Sequence, residues 1–219
     1  MKLLLWGAGG HAKVVLDIAR AMHAFPDICF LDDACQRPGA WFRGCPILGG
    51  SPFLRSLSGS ETVHFLVAIG DNRIRADRYA FALSQGLKAA TLIHPSAIVS
   101  PSATIGEGTV VMPGAVINAD ARVGRNCIVN TGAVIEHDCA IGDHVHIAPR
   151  VVLGGAVRVG NFTMMGSGAH ALPGAEIGES ALVGAGAVVL HQVPAYVTAV
   201  GVPTRLVGDA RFRPSGVLA

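Results

Sequence analysis

A six-residue period running through the second half of the chain constrains its fold more than any other feature. From Ile93, every sixth residue is Val99, Ile105, Val111, Ile117, Val123 and Val129, and the series continues to Val189. Of these positions only Ala171 is neither a large aliphatic nor Met. Four residues after each comes a small or β-branched residue, as in Ala97, Ala103, Thr109, Ala115 and Cys127. Glycine often follows the aliphatic, as in Ile105-Gly106, Val123-Gly124, Ile141-Gly142 and Val159-Gly160. Neither the helical period of 3.6 nor the strand period of 2 produces this pattern. A short strand followed by a corner does. The aliphatic points inward, the small residue fits the corner, and successive coils stack at the parallel-strand spacing of about 4.8 Å. The spacing therefore predicts a parallel β-helix over residues 93–219, with Cys127, Cys139 and Met165 as parts of its core.

Composition agrees. Gly contributes 28 of 219 residues, with 15% charged and 5% aromatic, which suits tightly turning aliphatic coils. The charge balance of 17 basic against 15 acidic residues offers no field for a nucleic acid or a membrane surface. No apolar run approaches the roughly 18–20 residues of a spanning helix. The opening Leu3-Leu4-Leu5-Trp6 run stops at Gly7, short of the roughly 7–15 residues of a signal-peptide core. Cys29, Cys35, Cys45, Cys127 and Cys139 are odd in number and lack Cys-x-x-Cys spacing, so neither a disulfide framework nor a zinc ribbon is indicated. The expected setting is the reducing cytoplasm.

Residues 1–92 lack the period and read as a separate α/β domain. Lys2–Trp6 predicts a buried strand, 7–11 a turn, Ala12–His23 a helix, 28–33 a second strand ending in two carboxylates, 63–70 another strand, and 71–85 a helix that Asp71 can cap. This order predicts a small Rossmann-like parallel unit. Gly7, Gly9 and Ala12 satisfy a loose G-x-G-x-x-A pattern, with Asp32 and Asp33 about twenty residues on. Amides at a helix N-terminus bind phosphate, and a carboxylate after the second strand binds a ribose or base. A nucleotide-linked substrate and NAD satisfy that chemistry equally, and a plain tight turn explains the glycines too.

The remaining signal is 130–149, "NTGAVIEHDCAIGDHVHIAP". Its period turns Ile135 and Cys139 inward, so Glu136, His137 and Asp138 face outward, as do His144 and His146. Three readings are open: a metal site, a general base, or solvated surface. Five residues after His137 stands Gly142, and no histidine lies between His94 and His137, so the spacing of the three-histidine zinc site of gamma-class carbonic anhydrases is missing.

The strings "WGAGGHAKVVLD", "FLDD", "VAIGDNRIR", "LIHPSA", "IEHDCAIGDHVHIAP" and "GVPTR" together resemble the bacterial sialic-acid O-acetyltransferases and bacillosamine-pathway N-acetyltransferases, members of the hexapeptide-repeat acyltransferases. The resemblance spans nearly the whole chain. It implies a Rossmann-like domain followed by a left-handed β-helix, assembled as a homotrimer with active sites between subunits. It places a nucleotide sugar near Gly9, Gly10, His11, Asp32 and Asp33, with Gly70 and Asn72, and adds Asn130 as a site position. It makes His137 the general base, with Asp138 beside it. It puts acetyl-CoA against His146 and Gly155, with the pantetheine arm passing Gly166, Ser167 and Ala185. His144 has no counterpart there and reads as exposed, and His94 reads as structural at the domain junction. Gly154 or Gly155 would supply the N–H that stabilises the oxyanion. "GVPTR" departs from the family's commoner "GVPAK". Arg205, Arg211 and Arg213 are candidates for the coenzyme A phosphates.

The expected reaction is acetyl-CoA-dependent N-acetylation of a nucleotide-linked 4-amino sugar for cell-surface glycans, without a metal. O-acetylation of a sialic-acid-type sugar, a non-catalytic β-helix scaffold, and a nicotinamide-dependent oxidoreductase are the alternatives.

Overall fold

The computed structural model describes residues 2–35, 39–54 and 63–209. In the front domain β1 (Lys2–Trp6) is followed by α1 (Gly10–Ala21), β2 (Asp27–Leu31), a two-stranded ribbon of β3 (Trp41–Phe42) and β4 (Cys45–Pro46), the single turn α2 (Ser51–Leu54), β5 (Val63–Val67), α3 (Asn72–Ser84) and β6 (Lys88–Ala89). The sheet is parallel in the order β2-β1-β5-β6. Leu3, Leu5 and α1 pack on one face, and Leu4, Trp6 and Tyr79 of α3 on the other. Helix α1 begins at Gly10, earlier than the expected Ala12, with no side-chain cap at Gly9. Val15, Leu16, Ile18 and Ala19 form its buried side, and Val14 is 38% exposed. Asp71 caps α3, accepting from the Arg73 and Ile74 amides at 2.9 Å each.

The β-helix starts at the rung Leu92–Ile93 and completes about six coils on three parallel faces. The first face runs from Leu92–Ile93 through Ile128–Val129 and His146–Ile147 to Val197–Val200. The second runs from Ile98–Val99 through Val134–Ile135 to Val188–Val189, and the third from Thr104–Ile105 through Ala140–Ile141 to Gln192–Val193. Partners stack eighteen residues apart, as in Val116↔Val134↔Val152. Val111, Ile117, Ile135, Ile147, Leu153, Met165 and Val189 are fully buried. Burial of each such side chain contributes about 1.5–3 kcal/mol. Cys127 and Cys139 are also buried, with Sγ–H donated to the Gly142 and Gly154 carbonyls at 3.1 and 3.2 Å. Burial pushes the Cys127 thiol up to about 11, which keeps it inert. The spacing fails at the last coil. Val193, placed at a corner by the period, is an inward rung, because Gln192–Val193 pairs with Glu176–Ile177 after a shortened step.

The front domain rests on the first face, and Val110, Met112 and Ile128 join its core. The seam is held by a buried cation. Arg75 on α3 is 1% exposed. Its Nε donates to the Asn126 carbonyl at 2.9 Å, and Nη2 to the His144 carbonyl at 2.9 Å, both on the β-helix. Nη1 donates to the Ile69 and Gly70 carbonyls, and Nη2 also to Asn72 Oδ1 at 2.8 Å. Desolvation lowers its pKa to about 10, which leaves it charged at neutral pH. Two histidines flank this cation. Burial, reinforced by Arg75, lowers His11 to about 4. Burial, Arg75 and His11 lower His146 to about 3, with the Gly70 backbone opposing. Both are neutral, and His11 Nε2 and His146 Nδ1 have no hydrogen-bond partner.

Replacing Arg75 by Met would strand the four carbonyls. The expected cost is on the order of 3–5 kcal/mol, read as a fall in the urea midpoint. Asp71→Ala, which removes only the helix cap, should cost about 1 kcal/mol. The folded pKa of each buried histidine lies below its unfolded 6.5, so the unfolded chain takes up protons first. Stability is therefore complete above pH 6.5 and declines as pH falls toward 4 and then 3. Unfolding midpoints measured across that window should show the decline, and His146→Leu should flatten it.

Candidate active site

Two groups of polar residues stand on opposite sides of the β-helix. The first lines a cleft of about 500 Å³ at the C-terminal ends of β1, β2 and β5, and includes Gly9, Gly10, His11, Asp32, Asp33 and Gly70. A Cβ added at Gly9 or Gly10 would meet nothing, so the N-terminal amides of α1 open into free space suited to an anion. Asp32 braces the turn, with Oδ2 accepting from the Ala8 amide and Oδ1 from the Ala34 amide, both at 2.8 Å. Asp33 accepts from the Ser51 amide at 2.7 Å and from Trp6 Nε1 at 3.2 Å, and pairs with Arg78 at 2.9 Å. Burial opposes its ionisation, but these donors outweigh it and hold the Asp33 carboxyl below its usual range.

Asn72, expected in the substrate set, lies buried at the domain seam. Its Nδ2 donates to the Phe162 and Thr163 carbonyls and its Oδ1 accepts from Arg75, so its amide is spent on the domain seam. It is 5% exposed. His144 is not an exposed histidine either: it stacks on Phe162 at 4.8 Å, and its Nδ1 meets Asn126 Nδ2 at 2.8 Å.

Beside the cleft, at the corner between the first and second faces, Asn130 Nδ2 contacts His146 Nε2 at 3.1 Å. His146, expected against acetyl-CoA, is 8% exposed under the front domain, on the cleft's side of the coil. Gly166, Ser167 and Ala185 occupy the same corner on later coils, where Ser167 and Ala185 are exposed.

The second group lies at the corner between the second and third faces. His137 is open to solvent, and its Nδ1 meets Asp138 Oδ2 at 2.8 Å. Asp138 sits at φ 61°, a left-handed corner position that Asp tolerates. The hydrogen bond to Asp138, followed by the charges of Asp138 and Glu136, raises the His137 pKa against a desolvation effect. With Nδ1 turned to the carboxylate, Nε2 is the free position of the neutral ring. The imidazole lies over Gly155 one coil on: a Cβ there would stand 2.7 Å from both Cε1 and Nε2. The Gly154 amide is committed to the Ala171 carbonyl. The Gly155 amide donates to no carbonyl of the coil ladder among the described residues. Glu136 accepts from Asn118 at 2.9 Å, which fixes the neighbouring acid.

These two corners flank the second face, whose outward residues are mostly apolar: Ile98, at 66% exposure, then Val116, Val134, Val152 and Val188. Within one chain His137 and the cleft do not meet, since the corner bearing His137 is the one opposite the first face. Arg205 is exposed on the last strand, and Arg211 and Arg213 lie outside the described residues. Nothing in the sequence pattern singles out Arg75 or Arg78, because the Asn126 and His144 carbonyls and the Asp33 carboxylate they meet are distant in sequence. Among the described residues no helix is long and apolar enough to cross a membrane.

Residues 2–80 match the PglD N-terminal domain, and residues 120–155 the bacterial transferase hexapeptide (six repeats). The acetyltransferase domain of PglB from Neisseria gonorrhoeae FA1090 is 39% identical, with 94% of this chain and 99% of that one covered and a TM-score of 0.90. PerB from Caulobacter crescentus, solved with CoA and GDP-perosamine, is 40% identical over 95% of this chain and 98% of that one, with a TM-score of 0.88. Among curated proteins, UDP-N-acetylbacillosamine N-acetyltransferase of Bacillus subtilis (strain 168) is 43% identical over 109 residues, 47% of each chain. Serine acetyltransferase of Escherichia coli (strain K12) is 43% identical over 72 residues, 29% of this chain and 26% of that one. The chain thus spans about half or less of the length of these curated relatives. With a PglD-type front domain, a hexapeptide β-helix and near-complete structural correspondence to PglB's acetyltransferase domain and PerB, the chain belongs to the PglD-type hexapeptide-repeat acetyltransferases.

Proposed function

We propose that the chain is an acetyl-CoA-dependent N-acetyltransferase that acts on the amine of a nucleotide-linked 4-amino sugar. The observation that carries this reading is the His137–Asp138 pair, with its imidazole seated on Gly155 and open to solvent. PerB, similar along nearly its whole length, was solved with CoA and GDP-perosamine, and the curated Bacillus relative is named for acetylating a nucleotide-linked sugar.

The neutral amine attacks the thioester carbonyl carbon, and His137 Nε2 accepts the proton released from the nitrogen. The Gly155 N–H donates to the oxyanion of the tetrahedral intermediate. Collapse breaks the C–S bond, and the proton passes from His137 to the departing thiolate, giving the amide and free coenzyme A. Asp138 holds the imidazole in the tautomer that leaves Nε2 unprotonated and stabilises its charged form. No acyl-enzyme is required, because alignment of amine and thioester supplies much of the acceleration.

The active form is a homotrimer. The two half-sites lie on opposite edges of the apolar second face, so packing that face around a threefold axis brings one subunit's His137 corner to the next subunit's Asn130 corner and cleft. Acetyl-CoA then lies between subunits, along Gly166, Ser167 and Ala185.

The decisive assay is coenzyme A thiol release with UDP-, GDP- and dTDP-linked 4-amino sugars and their hydroxy counterparts. Turnover on one amino sugar is expected, with a loss of about 100-fold or more in His137→Ala. Turnover on hydroxyl acceptors alone would replace N- by O-acetylation, and silence of a folded protein everywhere would leave a scaffold. Because Asp138 raises the His137 pKa, activity should rise with pH through a midpoint above 6.5. Asp138→Asn should move that midpoint down and lower kcat, as measured in a pH–rate profile. Gly155→Ala, whose Cβ collides with the imidazole, should lower kcat by about tenfold or more while trimer stability is kept.

A further inference from the structure

The cleft is rich in carboxylates, and nearly all of them are spent. Asp71 accepts from the Arg73 and Ile74 amides. Asp32 accepts from Ala8 and Ala34, and Asp33 from Ser51 and Trp6. Among the described residues lining the cleft, Arg78 is the one permanently charged cation. Its Nε is ion-paired with Asp33 Oδ2 at 2.9 Å, outside hydrogen-bond geometry, and its outer Nη1 and Nη2 groups make no hydrogen bond among the described residues. The guanidinium is nonetheless held in place. Its carbon stands 5.5 Å from the centre of the Trp6 ring, a cation–π contact, and the Trp6 indole is itself tied to Asp33.

Its position in the cleft says which part of a nucleotide it meets. Helices α1 and α3 pack on opposite faces of the front sheet. The open amides at Gly9 and Gly10 are on the α1 side and suit a diphosphate. Arg78 is on the α3 side, against the carboxylate that follows β2, where a parallel α/β domain receives the nucleoside. A guanidinium fork with free N–H groups recognises a keto oxygen at a base edge, and it is repelled by the exocyclic amino group that replaces that oxygen in the matching amino base.

We propose that Arg78, tethered by Asp33 and seated on Trp6, is the residue that selects the nucleobase, admitting a base with a keto oxygen at purine C6 or pyrimidine C4 (guanine, uracil or thymine) over the counterpart that carries an amino group there. This rests on the nucleotide-sugar reading above and adds to it the determinant of base choice.

The test is calorimetric titration of the whole protein with GDP, ADP, UDP and CDP. In the purine or pyrimidine pair that fits the cleft, the keto member should bind about tenfold or more tighter than the amino member. Arg78→Met should bring the keto member down to the level of its amino partner and leave the latter within about twofold. Arg78→Lys, which keeps the charge but not the fork, should lose most of the preference. Asp33→Asn, which loosens the tether, should weaken it in part, and this variant together with Arg78→Lys carries the test should Arg78→Met fail to fold. Equal weakening of all four diphosphates by Arg78→Met would make the residue a phosphate contact and overturn the proposal, as would an unchanged preference. Binding of the wild type without base preference would overturn it while leaving the nucleotide reading intact. No binding of any diphosphate to the folded wild type would remove both.

Discussion

The arrangement depends on a buried cation that has no carboxylate of its own. Arg75 is surrounded by carbonyl oxygens, two from the loop that closes the cleft and two from separate coils of the β-helix. A carboxylate partner would have neutralised it locally. Carbonyl partners instead make the charge a tie between backbones, which fixes loop 69–70 against the coils that carry Asn126 and His144. Burial, reinforced by the same charge, disfavours protonation of His11 and His146, so both imidazoles stay neutral beside it. Desolvating an unpaired guanidinium is costly, and a full set of hydrogen bonds to fixed dipoles offsets that cost.

Much of this was legible in the sequence, and the reason is periodicity. A rung that recurs every six residues constrains each inward position at once, so the faces, the corners and the core thiols follow from spacing alone. The outward side has no such rule. His144 and His146 alternate with the same inward residues, yet one is stacked on Phe162 and the other lies beneath the front domain. What decides between exposed and covered is the docking of another domain, which leaves no period. The bonds of Asn72 are hidden for a related reason: next to a cleft in sequence, its amide reaches across the seam. Val193 shows the limit of the ruler itself, since one shortened corner moves a residue from corner to rung.

The candidate site is divided in the same manner. His137 and Asp138 could be read from neighbouring letters because their chemistry is local: adjacent residues at a left-handed corner, with the imidazole laid over a glycine one coil on. The cleft is assembled from three strand ends and a helix, and its charge balance becomes visible only when every carboxylate has been matched to its donors. Arg78 stands out by what it does not donate to, which is a property of the fold and not of any motif.

The stacking of Val116 on Val134 and Val134 on Val152 has a consequence for how such a chain changes length. Three hexapeptides close one coil, so adding a single hexapeptide ahead of Glu136 would carry His137 and everything after it around the prism by one side, and the imidazole would leave the apolar face for a different edge. Two would carry it further still. Only a whole coil returns the downstream chain to its former bearing, displaced along the axis by one strand spacing. Insertions that preserve the arrangement therefore come in steps of one full turn, and the distance from the seam to His137 is counted in coils.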